Sequence, residues 1–486
     1  MLAKANSEVV HSGGNSSRGL RGFNTGRLRQ AQISTSEGSF NVRNVVKCSV
    51  MNVDSRNQLY LKGILESDGL FPHLDEAPAS GFFGWDFGLP ELPEAPGIIV
   101  IRGPRQFGKS TWLEFQLRET LRRFGPGTAL FLNGDYIAGP NELENEIESL
   151  LRHFSAGSTV RRLFIDEITA VQGWQKAIKR LADSGALRQV LLVTTGSKAS
   201  DIQREGELLP GRKGKLDRTI YLFVQIPYRI FREKALPTLG PQTLAAYLIA
   251  GGSPPACAAV LEAGAIPEYL FQTTAEWIYG ECALAGRSRP MLLRMLERLM
   301  RRGGSPAAQT TLAEESGMAN NTVAQGYLSL LNDLLVLGTT EPWDLSKRTR
   351  VPRKSSKYPF VNLLAANTWW KNRHTTPSSL ESAPGEERGI WWEWAVAAES
   401  FRRAAKEGSP TPLQSLYWRS EKHEIDFVRK DKPWIEVKAG QASPFEFDWF
   451  AKIAPREKLL VVNSERFDGD IVRGVTLEDF LLDESL

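Results

Sequence analysis

The run Gly97-Ile98-Ile99-Val100-Ile101-Arg102, followed by Gly103-Pro104-Arg105-Gln106-Phe107-Gly108-Lys109-Ser110, constrains this chain more than any other stretch. The first six residues are largely apolar and β-branched with no polar alternation, the pattern of a strand buried on both faces. Thr111-Trp112-Leu113-Glu114-Phe115-Gln116-Leu117-Arg118 then takes up helical spacing. Strand, glycine loop and helix in that order make a phosphate-binding loop. Gly103 and Gly108 let backbone N–H groups turn towards a triphosphate, Lys109 reaches the β- and γ-phosphates, and the Ser110 hydroxyl holds Mg²⁺. Gly103 through Thr111 are therefore the expected ATP contacts, with Lys109 also catalytic.

Two more strands supply the rest of such a site. Thr128–Asn133 reads as a second buried strand. Arg161-Arg162-Leu163-Phe164-Ile165-Asp166-Glu167 is a third, ending in two carboxylates. In a Mg-nucleotide site Asp166 would hold the metal through its water shell, and Glu167 would orient and deprotonate the attacking water. A fourth strand, Gln189–Thr195, ends at Gly196-Ser197-Lys198. Ligands lie at the carboxyl ends of parallel strands, so Thr195 or Ser197 would sit beside the γ-phosphate and sense hydrolysis. Leu209-Pro210-Gly211-Arg212 precedes a fifth strand, Thr219–Val224. An extra strand between the phosphate loop and the Asp-Glu strand marks the NTPase class with a catalytic glutamate. That class implies an arginine supplied by a neighbouring subunit to stabilise the transferring phosphoryl group. Arg212 is the first candidate and Arg188 the reserve.

The 486 residues allow two to four domains, and 42% hydrophobic with 24% charged residues is a soluble globular composition. No apolar run approaches the ~20 residues of a membrane helix. Cys48, Cys257 and Cys282 are far apart without a CxxC spacing, which excludes a disulfide framework and fits a reducing, cytoplasmic setting. Residues 1–50 read as a disordered basic arm rich in Ser, Gly, Asn and Arg; if Met51 is the natural start, they are an upstream extension. Their seven bases against Glu8 and Glu37 exceed the whole chain's net +4, so the remainder is slightly acidic. Nucleic-acid binding would have to come from local patches.

Gly-Pro-Arg-Gln-Phe-Gly-Lys-Ser, Phe-Ile-Asp-Glu with Trp174 soon after, Thr-Thr-Gly-Ser and Leu-Pro-Gly-Arg occur here in one order. This combination resembles the prokaryotic AAA-type ATPases that carry a C-terminal domain of unknown function, over roughly residues 55–480. The resemblance implies ATP and Mg²⁺ as ligands and a homo-oligomer as the working form. It also implies that Gly251-Gly252-Ser253-Pro254-Pro255 belongs to a helical lid, and Pro and Gly together would break a helix there.

From residue 290 the pattern changes. Met291–Met300, Gln309–Glu315, a turn at Gly317-Met318 and Asn321–Leu335 have the helix-turn-helix shape, with Val336–Thr340 as the start of a wing. Asn320, Asn321, Thr322 and Gln325 would point outward, as amides that read adenine edges do. In the basic run Lys347–Lys354, five of eight residues are positive, which suits a phosphate backbone.

Glu424-Ile425-Asp426-Phe427-Val428-Arg429 and Trp434-Ile435-Glu436-Val437-Lys438-Ala439 alternate as strands around the turn Lys430–Pro433. A hairpin of this length sets Asp426 beside Glu436, and Lys438 shares Glu436's face. Two carboxylates can hold a divalent metal, and the lysine can activate water or neutralise phosphate charge. The arrangement resembles the PD-(D/E)xK nuclease fold, which implies Glu393, on a helix expected over Gly389–Arg403, as a further site carboxylate. Asn362 stands where the AAA-type family usually shows an aspartate, and an isolated His423 is expected to be structural.

The expected fold is α/β: a basic arm (1–50), a P-loop ATPase core with a parallel sheet (51–235), a helical lid (236–289), a winged helix (290–345), a connector (346–388) and a restriction-endonuclease-like domain (389–486). The leading function is an ATPase that drives conformational change in a DNA-associated oligomer. The alternatives are an ATP-regulated, metal-dependent DNA nuclease and a non-nucleolytic switch acting through protein partners.

Overall fold

The computed structural model describes residues 53–76, 81–82, 84–197, 215–351 and 354–486. Five parallel strands form the first sheet: β1 (Gly97–Arg102), β2 (Ala129–Asn133), β3 (Arg162–Asp166), β4 (Leu191–Gly196) and β5 (Ile220–Leu222), in the order β2-β3-β4-β1-β5. All six residues of β1 are buried, because it lies between β4 and β5 with elements packed on both faces.

Helices α1 (Val53–Lys62), α2 (Pro72–Asp75) and α3 (Lys109–Phe124) belong to one side, and α4 (Pro140–Leu151) and α5 (Trp174–Asp183) cover the other, where Trp174, Ile178 and Leu181 meet Ile98, Leu163 and Leu192. Both sheet edges are closed. On β2, the Asn57 amide donates to Phe131 O at 2.8 Å and accepts from Phe131 N at 2.8 Å, so a side chain stands in for the missing strand. Beyond β5, Arg218 donates to the carbonyls of Ala405 and Lys406 at 2.7 and 3.0 Å, and Gln225 to that of Ala398 at 2.7 Å.

Four helices follow: α6 (Tyr228–Leu239), α7 (Thr243–Ala250), α8 (Pro254–Ala263) and α9 (Glu268–Leu284). The break expected at Gly251–Pro255 falls between α7 and α8. Helix α6 crosses residue 236, so no linker separates the stretches expected as ATPase core and helical lid. Helices α10 (Arg289–Arg302), α11 (Gln309–Glu315) and α12 (Asn321–Asp333) lead to the hairpin β6 (Thr339–Asp344) and β7 (Thr349–Arg350).

The stretch expected as a connector is packed instead. It contributes β7, α13 (Leu363–Trp369) and α14 (Pro377–Glu381), and Tyr358, Phe360 and Val361 are buried. Its apolar residues fill the space between α12 and α15 (Gly385–Glu407), where Phe360 and Trp394 ring centroids are 4.8 Å apart.

The final segment holds β8 (Gln414–Arg419), β9 (Glu424–Ile425), β10 (Trp434–Val437), α16 (Asp448–Ile453), β11 (Leu459–Asn463), β12 (Val472–Thr476) and α17 (Leu477–Leu482). Strands β10, β11 and β12 run parallel, while β8 joins β6 in a second sheet of order β7-β6-β8-β9. The expected hairpin is reduced to one antiparallel bridge, Phe427 with Ile435. Its ladder stops because Pro433 has no N–H and because Val428 N donates to Leu416 O on β8 at 2.7 Å instead. One buried cluster runs from Leu113 under β1 through Leu248, Leu331 and Trp394 to Phe480, joining the parallel sheet, the helices that follow it and the C-terminal segment. No helix among the described residues is long and apolar enough to cross a membrane.

Candidate nucleotide site and a second charged centre

The phosphate loop connects β1 to α3, and its shape depends on glycine. A Cβ on Gly103 would lie 2.2 Å from Phe223 O, so only glycine lets β1 leave the sheet this close to its neighbour. Gly108 has φ 90° at the N-cap of α3. Lys109 is buried, and its ammonium donates to the carbonyls of Gly103 and Pro104 at 3.1 and 2.8 Å. Burial pushes its pKa down from the ordinary lysine value, with Glu167 and Asp166 opposing.

The two carboxylates at the end of β3 are held from β4. The Thr195 hydroxyl donates to Asp166 and accepts from Glu167 N at 3.0 Å. Ser197 donates to Glu167 from its hydroxyl at 2.6 Å and from its backbone at 3.2 Å. Glu167 sits at φ 46°, a left-handed conformation that a non-glycine residue adopts at a cost. Its carbonyl lies 2.5 Å from where a Cβ on Gly134 would be, so the glycine after β2 makes room for this turn.

Lys109, Glu167 and Ser197 line a cleft of ≈ 870 Å³, while Asp166 and Thr195 are buried and do not reach its lining. Arg105, Gln106, Gly108, Lys109, Ser110 and Thr111 form its floor, Glu167 and Ser197 one wall, His73 and Phe82 another, and Pro254, Ala258, Tyr269 and Leu270 the lid side. Of the expected contacts, Gly103, Pro104, Phe107 and Asp166 do not line the cleft. Arg212 lies outside the described residues. Arg188 is exposed in the turn before β4, at the end of the sheet opposite the phosphate loop. His73, Phe82 and Tyr269 were not legible as site residues, because the first two precede the motif and Tyr269 sits on a helix far along the chain.

The cleft fits a magnesium nucleotide. A buried ammonium whose partners among the described residues are two loop carbonyls can turn to phosphate, and Ser110 in the lining and the buried Asp166 are the kind of oxygen that Mg²⁺ prefers.

The geometry of β1 to β5, with β4 between the phosphate-loop strand and the Asp-Glu strand, defines a P-loop NTPase sheet. Residues 95–224 match the model of the AAA domain family. No curated protein matches the chain. Among solved structures it is similar to the Walker-type ATPase PABY2304 of Pyrococcus abyssi at 13% identity, covering 56% of this chain and 90% of that one with a TM-score of 0.39. It is also similar to the Aeropyrum pernix ORC1 protein solved in complex with DNA, at 14% identity, covering 68% and 94% with a TM-score of 0.28.

The C-terminal carboxylates do come together. The Phe427–Ile435 bridge sets Asp426 opposite Glu436, and Asp426 accepts from Val437 N at 2.9 Å. Between the acids stands a residue that sequence reasoning missed. Lys357, buried, places its ammonium 2.7 Å from Asp426, 3.2 Å from Glu393 and 2.5 Å from Glu424. These carboxylates push its pKa well above the ordinary lysine value against the burial that lowers it. Lys438 pairs with Glu436 at 2.6 Å, and Glu436 Oε2 is buried without a partner among the described residues. Burial, with Asp426 nearby, pushes Glu393 up to about 7 and Glu436 up to about 8. No group of three His, Cys, Asp or Glu side chains among the described residues is disposed to hold a metal ion. Asn362 caps α13 by accepting from Ala365 N at 3.0 Å, and His423 stacks on Trp449 with centroids 4.1 Å apart.

On the expected reading helix, Asn320, Asn321, Thr322 and Gln325 are exposed. Asn320 is spent as the N-cap of α12, accepting from Val323 N at 3.0 Å. Gln325 accepts from Gln309 and donates to Ser329 at 3.1 Å.

Proposed function

We propose that this chain is an ATPase that hydrolyses ATP with Mg²⁺ to change the conformation of a DNA-associated homo-oligomer in the cytoplasm. The observation that carries this reading is the Asp166–Glu167 pair clasped by Thr195 and Ser197, with Glu167 lining the same cleft as Lys109. Lys109 would bind the phosphates, and Ser110 and Asp166 would hold Mg²⁺, which when bound neutralises phosphate charge. Glu167 would orient water and accept its proton. Ser197 fixes the Glu167 carboxylate, so a change at the γ-phosphate would be felt on β4. Arg212 is proposed to act across a subunit boundary, on the sequence alone.

Helices α10 to α12 with the β6–β7 hairpin are read as a winged helix, and the last hundred residues as a nuclease-like module. For that module the non-nucleolytic reading is favoured over a metal-dependent nuclease, because Lys357 supplies an internal cation among Glu393, Glu424 and Asp426. Steady-state ATP turnover tests the main reading. Glu167→Gln should lower turnover about 10²–10⁴-fold while nucleotide binding persists, and Lys109→Ala should remove binding as well. Absence of turnover by a folded wild type would sink it, and Mg²⁺-dependent plasmid cleavage by the wild type would restore the nuclease reading.

A further inference from the structure

Six basic residues of the C-terminal half line one cleft. A cleft of ≈ 570 Å³ opens between the tip of the β6–β7 hairpin, the turn from β9 to β10 and the turn before β11. Arg348, Arg429, Lys430, Lys432, Arg456 and Lys458 line it, against Asp431 and Glu457. In a chain whose net charge beyond its first fifty residues is slightly acidic, so many bases in one cleft make a local field rather than an average one.

Part of this charge is matched: Arg348 pairs with Glu457 at 3.1 Å and Lys432 with Glu407 at 3.5 Å. Lys430, Arg456 and Lys458 are exposed and have no ion pair among the described residues. Arg429 donates through Nε to Pro433 O at 2.6 Å and through Nη1 to Leu486 O at 2.8 Å, while its Nη2 has no acceptor among the described residues. Burial and the nearby Arg403 push its pKa down to about 10.

The cleft shares Trp343 and Leu345 with a neighbouring groove of ≈ 990 Å³, which Lys354 and Arg419 line beside Asp344 and Glu421. Six bases on three neighbouring turns of the first cleft suit a polymer of regularly spaced negative charge. None of the large exposed apolar side chains among the described residues lies in the cleft, which speaks against a membrane surface.

We propose that this groove holds the phosphate backbone of duplex DNA, and that DNA is gripped here rather than read by the amides of α12. The inference rests on the reading of the chain as a DNA-associated ATPase and names the surface that does the associating. The test uses the full chain, a labelled duplex and fluorescence anisotropy across a salt series, with Lys430→Glu/Lys458→Glu and Asn321→Ala/Gln325→Ala as variants. Wild type should bind with affinity falling steeply as salt rises. The double charge reversal should weaken binding about tenfold or more and reduce the log–log salt slope by about two, with ATP turnover in the absence of DNA unchanged. If wild type binds and the reversal binds equally well, the groove is wrong while DNA association stands. If wild type binds no duplex, or binds only vesicles of anionic phospholipid, both ideas fall.

Discussion

Glu436 shows how one carboxylate can report on its surroundings. It is 4% exposed, one oxygen meets Lys438 and the other meets nothing among the described residues. Such a group is easier to keep neutral than ionised, and its pKa is pushed up to about 8. In the unfolded chain it would titrate near the ordinary glutamate value of about 4.3. Between those two values the folded state binds the extra proton, so its contribution to stability is full at low pH and is lost as pH rises through about 8. Glu393, pushed up to about 7, acts in the same direction over a narrower window. Denaturant melts of wild type should therefore lose stability from pH 5 to pH 8, by at most about 1.4 kcal/mol per pH unit for each such group. Glu436→Gln should flatten that slope and raise the unfolding midpoint at pH 8. An unchanged slope would mean that the carboxylate is ionised in the fold.

At the scale of elements, what matters is how each strand end and edge is finished. Strand β2 is the outer strand of its sheet, and Asn57 satisfies both backbone groups of Phe131 from α1. Asn57→Ala would leave a buried N–H and C=O unpaired, which costs roughly 1–3 kcal/mol for each group left without a partner. A drop of that order in urea stability is expected, whereas Asn57→Asp should recover part of it by accepting from Phe131 N. Arg102 ties two elements in the same way, donating from the end of β1 to the carbonyl of Asp333 at the end of α12. The phosphate loop begins at the next residue, so movement of that loop and of α12 shares a fixed point.

For the whole molecule, the C-terminal segment is not a detachable bead. Strand β8 takes its parallel partner from β6, with Thr339 to Pro342 in register with Gln414 to Tyr417, and Phe360 covers Trp394. Lys357, which neutralises Glu393 and Asp426, also lies outside residues 389–486. A fragment of residues 389–486 would expose the edge of β8 and leave buried carboxylates without their cation, so it should show no cooperative thermal transition by circular dichroism. A cooperative melt from that fragment would contradict this account.

The parts legible in the sequence are those whose chemistry is local. Gly103 to Ser110, Asp166 with Glu167, and the pairing of Asp426 with Glu436 follow from short spacings and from strand and loop geometry. Hydrophobic runs likewise announced all five strands of the first sheet, most plainly β1, β3 and β4, which are buried throughout and need an unbroken apolar run. What only the tertiary structure decided lies between distant segments. Lys357 is 69 residues from Asp426, and its one sequence hint is a lysine beside the apolar Tyr358, Phe360 and Val361. The basic groove draws its charges from three turns, and α9 brings Tyr269 to the phosphate-loop cleft. A sequence records which charges exist, but folding decides which of them share a low-dielectric space, and the strength of an electrostatic interaction is set there.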